Sequence, residues 1–229
     1  MITPKQLDEI KVFVHDYLFR TALQSDQDWV TRFPRAAEYR WHHTLNVLHN
    51  AELILAGESA PDDAVQVVRA AVYLHDVSMF VCNHEIHGQI SAEIAEDFLV
   101  KMGLPHEFVS RVKRAVAEHG TDLGPLPPDQ QGALFSWEGK VVLEADILDK
   151  LGATAIAGAL LALGGQGTLP HEAASAIRAG TAMDRAVVFK DYIWTATGLS
   201  LAKRRFAFFL EFLDRLQEEV HDSQVGAAA

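Results

Sequence analysis

Apolar residues recur at three- and four-residue intervals along almost the whole chain, and that spacing restricts it to helical architectures. Leu7, Ile10, Val14 and Leu18 form one such stripe, with Pro4 suited to a first helical turn. Leu45, Leu48, Ala51, Leu53 and Leu55 mark a second helix that ends near Gly57. Asp62 and Asp63, after Pro61, start a third that runs to about Leu74. A fourth is expected from about His87 to Met102, stopped by Gly103, and a fifth from Pro105 to about His119-Gly120. Thr121–Gln131 holds Gly124, Pro125, Pro127 and Pro128 and reads as a loop. A long apolar helix then spans about Glu138 to Leu163, until Gly164-Gly165-Gln166-Gly167 breaks it. The last strong helix is expected at about Ser200–Val220. The short β-branched runs Val65–Val68 and Val141–Leu143 each lie inside a longer helical period.

The expected fold class is therefore all-α. With 229 residues, 49% of them hydrophobic, the chain can bury a sizeable core. No linker or repeat divides it, so residues 1–221 read as a single domain and Asp222–Ala229 as a fraying tail. The only cysteine, Cys82, rules out an internal disulfide and a cysteine zinc finger. A balance of 20 basic against 31 acidic residues gives a net charge of −11, which repels phosphate backbones. No nucleic-acid polymer is expected as a partner, while a small anionic substrate stays compatible if cations reverse the local field. The longest apolar stretch, Leu151–Gly165, is too short to span a bilayer. Met1–Lys5 does not lead into a signal-peptide pattern. A cytoplasmic protein without a membrane partner is expected, and a homo-oligomer is compatible with the sequence.

The unusual count is eleven histidines. His75-Asp76 ends the apolar run Val67–Leu74, and burying a charged Asp there costs several kcal/mol unless it is paired or bound to metal. Taken alone, the pair reads as a polar helix end. Other candidates accompany it: His42-His43 at an expected helix start, His87 at another, His119 at a helix end, and Asp146 in mid-helix. Imidazoles and carboxylates from several helices can converge in a bundle core. That mixture suits Mn, Fe, Co or Zn better than Ca.

The order His43, His75-Asp76, His87, His119, Asp146 resembles the HD-domain superfamily of metal-dependent phosphohydrolases. The flanks Arg40-Trp41-His42-His43-Thr44-Leu45-Asn46-Val47, Leu74-His75-Asp76-Val77, His87–Ile94 and Glu144–Gly152 are similar to segments of that family. Asn83-His84 and Thr195, Gly198, Leu201-Ala202, Phe208 and Phe212-Leu213 resemble its small bacterial hydrolases of the YedJ type. The resemblance implies an HD-type helical bundle with a metal-binding core at about 40–152 and C-terminal helices at 153–221. It implies that His43, His75, Asp76 and Asp146 hold one divalent metal ion. His87 and His119 would hold a second, with Asp76 shared; the metal would be Mn, Fe, Co, Ni, Mg or Zn. It also implies hydrolysis of a small phosphate ester, such as a nucleotide, by a metal-bound hydroxide.

Two departures from the family pattern bear on phosphate binding. Where many members read His-Asp-x-Gly-Lys, this chain has His75-Asp76-Val77-Ser78-Met79, and Asp146-Ile147 stands where the subgroup often has Asp-Arg. Lys150 is the alternative cation, and Arg40 can pair with a carboxylate near the metals or with phosphate. Asp76, His84, Arg40 and Lys150 are thus the catalytic candidates. His84 reads as a leaving-group acid, an extra ligand or a loop residue. His42 reads as a surface residue or a support behind the ligands, and Arg111, Lys113 and Arg114 as a solvated helix face. Arg204-Arg205 reads as a substrate clamp or an exposed pair, and Phe206, Phe208, Phe209 and Phe212 as packing. Two other functions fit the same ligands: a mixed-valence di-iron oxygenase, and a nucleotide-sensing module without turnover.

Overall fold

The structure is a computed structural model and describes residues 2–120, 130, 132–180 and 192–221. The loop expected at Thr121–Gln131, apart from Gln130, and the tail at Asp222–Ala229 lie outside these residues. The described residues are helical and contain no strand. They group into two compact units, Met1–Asp146 and Ile147–Ala229.

In the first unit α1 is Pro4–Gln24, α2 Asp28–Arg32, α3 Ala36–Gly57 and α4 Asp62–Leu74. A 3-10 turn at His84–Ile86 leads into α5, His87–Lys101, and α6 is His106–His119. The next helix, α7, is Trp137–Asp149. Thr3 caps α1 by accepting from the Gln6 amide at 3.2 Å, while the Gln6 side chain accepts from the Thr3 amide at 2.8 Å. The central helix is α4, which packs on α1, α3, α5 and α6. Every residue from Ala70 to Leu74 is buried, as expected of a helix surrounded by others. Its end is therefore deep in the unit, and the chain leaves it as His75-Asp76.

In this unit three features depart from the sequence expectation. First, α3 starts at Ala36, so His42-His43 lie within a helix instead of at its start. Its buried face is His43, Thr44, Val47, Asn50, Ala51, Ile54 and Leu55, and Leu53 is 38% exposed. Second, the short elements α2 and the 3-10 turn are additional. Third, Arg111 is not merely a solvated face: it bonds Asp63 at 2.8 Å and Glu138 at 3.0 Å, tying together α6, α4 and α7.

The second unit contains α8, Gly152–Gly165, α9, Pro170–Arg178, and α10, Ala196–His221. Ile156, Ile177, Phe209 and Leu213 form its core, with Phe212 packed against them and Phe208 46% exposed. The single helix expected over Glu138–Leu163 is two, α7 and α8. Gly152 has φ +74, and a Cβ there would meet Arg205 Cβ at 3.0 Å. A left-handed residue ends a helical run, and glycine adopts it without steric cost. No single described helix is long and apolar enough to cross a membrane.

Candidate metal centre

Six side chains from five segments of the first unit converge in its interior. His43 comes from the middle of α3, and His75 follows the last residue of α4 with Asp76 next to it. His87 is the first residue of α5, His119 the last of α6, and Asp146 lies in the last turn of α7. All six are buried, His75 completely.

Asp76 stands between two groups. Its Oδ2 lies 3.4 Å from His43 Nε2 and 3.4 Å from His75 Nε2. Its Oδ1 lies 3.4 Å from His87 Nε2 and 3.6 Å from His119 Nε2. On the first side, His43 Nε2 is 3.4 Å from His75 Nε2 and 3.2 Å from Asp146 Oδ1. On the second side, His87 Nε2 and His119 Nε2 are 3.1 Å apart. Donors bound to one ion at about 2.1 Å are separated from one another by about 3.0–3.4 Å. The donor set thus fits divalent ions in spacing and chemistry. His43, His75 and Asp146 form one compact trio, and His75, Asp76 and His119 another.

The rings are oriented by main chain. His75 Nδ1 donates to the Val72 carbonyl at 2.7 Å, His119 Nδ1 to that of Val116, and His87 Nδ1 to that of His84. In each case the acceptor is three residues earlier. A proton held at Nδ1 leaves the Nε2 lone pair for the site. Burial, above all, depresses the His75 pKa to about 3, against the opposing pull of Asp76, so its ring is neutral. Burial likewise lowers that of His87. For Asp76 burial acts upward, but His75 and Arg40, with hydrogen bonds from His119 and His43, outweigh it and hold the carboxyl well below the usual range. Arg40 Nη1 bonds directly to Asp76 Oδ2. Neutral imidazoles with ionised carboxylates are the states in which these groups ligate metals.

A model of the HD-domain family matches residues 40–151. This segment is an HD domain. YpgQ of Bacillus subtilis (strain 168), an uncharacterized protein, is 28% identical over 218 residues, which cover 94% of each chain. Its crystal structure in complex with ADP superposes with a TM-score of 0.63 at 24% identity, covering 94% of this chain and 95% of that one. An HD-superfamily hydrolase from Bacillus thuringiensis superposes with a TM-score of 0.68 at 19% identity, over 94% and 96% of the two chains. These superpositions show a common fold.

The other expected residues fall at different places. Arg40 meets Asp76, as above, and its buried Nε has no hydrogen-bond partner among the described residues. His84 is exposed on the 3-10 turn, with Nδ1 3.3 Å from His87 Nδ1, and its carbonyl orients that ring. His42 is exposed, pointing away from the buried face of α3. Lys150 belongs to the second unit, where its amide donates to the Ile147 carbonyl at 2.9 Å. In the same unit Arg205 is half-buried, and burial lowers its pKa.

Sequence reasoning missed the supports. Ser78, fully buried, donates from Oγ to the His87 carbonyl at 2.8 Å and shares a 2.9 Å bond with Ser91 Oγ. Its amide donates to Ser91 Oγ at 3.2 Å. The segment after Asp76 is thereby fastened to the first turns of α5. Asn50 is also buried, two helical turns beyond His43 on the same face of α3. That spacing, a polar residue in phase with a ligand, is the signal that marks it.

Proposed function

We propose that this HD domain is a metal-dependent hydrolase of small phosphate esters, with nucleotides as the substrate class. One observation carries the reading: the two carboxylate oxygens of Asp76 face two separate pairs of imidazoles. The ADP bound to YpgQ supports the choice of nucleotides. Divalent cations held by His43, His75, Asp76 and Asp146, and by His87 and His119 with Asp76, would supply Lewis acidity to a phosphoryl oxygen and acidify a water.

The chain's own residues then have distinct tasks. Arg40 keeps Asp76 ionised through its Nη1 and has its Nε left to donate to a phosphoryl oxygen. His84, exposed beside His87, protonates the leaving-group oxygen. Met79 occupies the place of the family's lysine, so recognition leans on the part of the substrate beyond its phosphate.

The test is metal analysis of protein purified without chelators, then a phosphate- and pyrophosphate-release screen of nucleotides and sugar phosphates with Mn, Co, Ni, Mg and Zn. Metal-dependent release from at least one nucleotide is expected. Metal-loaded protein without turnover on any phosphate ester would sink the reading. Four imidazoles and two carboxylates also suit a pair of irons, which favours the oxygenase as the second reading.

A further inference from the structure

Both histidines that face Asp76 Oδ1 are followed by glycine: His87-Gly88 and His119-Gly120. The first pair opens α5 and the second closes α6, and these two helices make the most extensive helix contact in the chain's described residues. A Cβ on Gly88 would stand 2.6 Å from Gly120 Cα and 3.0 Å from its nitrogen. A Cβ on Gly120 would stand 2.6 Å from Gly88 Cα and 2.9 Å from its nitrogen. All of these contacts are with main chain, so no rotamer change relieves them. Neither glycine has a positive φ, so the backbone conformation does not itself require glycine at either position. The close approach does.

The adjoining rings share in that approach. His87 and His119 stand edge to face, with centroids 5.0 Å apart and Nε2 atoms separated by 3.1 Å. Each ring is tied by Nδ1 to a carbonyl three residues earlier in its own segment, so it travels with its backbone. The donors on the other side of Asp76 are carried by other elements, α3, α7 and the end of α4; among them the His75 ring stands edge to face with His119, centroids 5.0 Å apart.

We propose that the Gly88–Gly120 contact is a positioning device that sets the His87–His119 separation and so builds the second cation site, leaving the first intact. The inference rests on the two-cation reading above. Alanine at either position forces the two main chains apart until 2.6 Å becomes ordinary contact at 3.4 Å or more. The imidazole pair opens with them. Displaced supports of a metal ligand typically cost roughly 10–100-fold in affinity, and that loss is expected for the second ion alone.

The experiment titrates Mn(II) into the full-length, chelator-stripped protein and follows bound metal by electron paramagnetic resonance, with circular dichroism as a check on helicity. The variants are Gly88→Ala, Gly120→Ala and His87→Ala, with Gly158→Ala as control because its Cβ would meet nothing within 4 Å. Wild type and the control should bind two ions with a spin-coupled signal. Both crossing variants should keep their helicity and one tight ion, with the uncoupled spectrum that His87→Ala gives. If wild type binds a single ion and His87→Ala leaves it unchanged, the two-cation reading itself fails. If wild type binds two and the crossing variants also bind two at unchanged affinity, only the glycine proposal is overturned. Loss of both ions, or of the fold, in the crossing variants overturns it too, because a device for one site spares the other.

Discussion

The side-chain amide of Asn50 donates to the Ala145 carbonyl at 3.0 Å, inside the core and one residue before Asp146. It joins α3, which carries His43, to α7, which carries the carboxylate facing that ring. Leaving a buried carbonyl without this donor costs about 1–3 kcal/mol. Asn50→Ala should therefore lower the urea midpoint of unfolding and weaken binding of the ion on the His43 side. An unchanged midpoint together with unchanged metal affinity would show that the bond holds neither helix in place.

Asp76→Ala removes the group shared by both sides of the site. Most bound metal and nearly all activity should be lost together, as read by elemental analysis and turnover on the same sample. Full metal content with full turnover would refute the shared role. Stability is a poor readout, since the substitution also leaves the partly buried Arg40 without its carboxylate.

His84 and His87 are neighbours with separable tasks. His87→Ala should reduce metal stoichiometry. His84→Ala keeps the carbonyl that orients His87 and should keep the metal, while kcat falls by roughly 10²–10⁴-fold, the usual cost of a lost general acid. Metal lost only from the His84 variant would exchange the two assignments.

The reaction class is tested by atmosphere. Phosphate release by the manganese- or cobalt-loaded protein should be equal with and without air. Oxygen uptake by an iron-loaded form on some other substrate, with no phosphate released under any condition, would promote the oxygenase instead.

Much of this arrangement was readable before folding. The bounds of α4, α5 and α6 follow from Asp62-Asp63, Gly103, Pro105 and Gly120, because caps and breakers are local signals. The phase of α3 was misread for a physical reason. Its inward face mixes the polar His43, Thr44 and Asn50 with its apolar residues, so a search for leucine periodicity finds Ala51 and Leu55 but also selects the less buried Leu45, Leu48 and Leu53. The break between α7 and α8 escaped because alanine and leucine continue the apolar pattern on either side, and a left-handed glycine leaves no mark on periodicity. The ligand candidates were visible as residue types in order. Their division about a shared Asp76 is what the family resemblance implies; which carboxylate oxygen faces which pair depends on contacts far apart in sequence, and only the folded chain displays it.

Three imidazoles of the site take their direction from carbonyls at Val72, His84 and Val116. A carbonyl belongs to the peptide unit and not to the side chain. Replacing Val72 or Val116 by another residue that fills the same space should leave the rings aimed as before. The aim of the site is thus inherited from helix geometry, and the side chains at those positions stay free to serve the core.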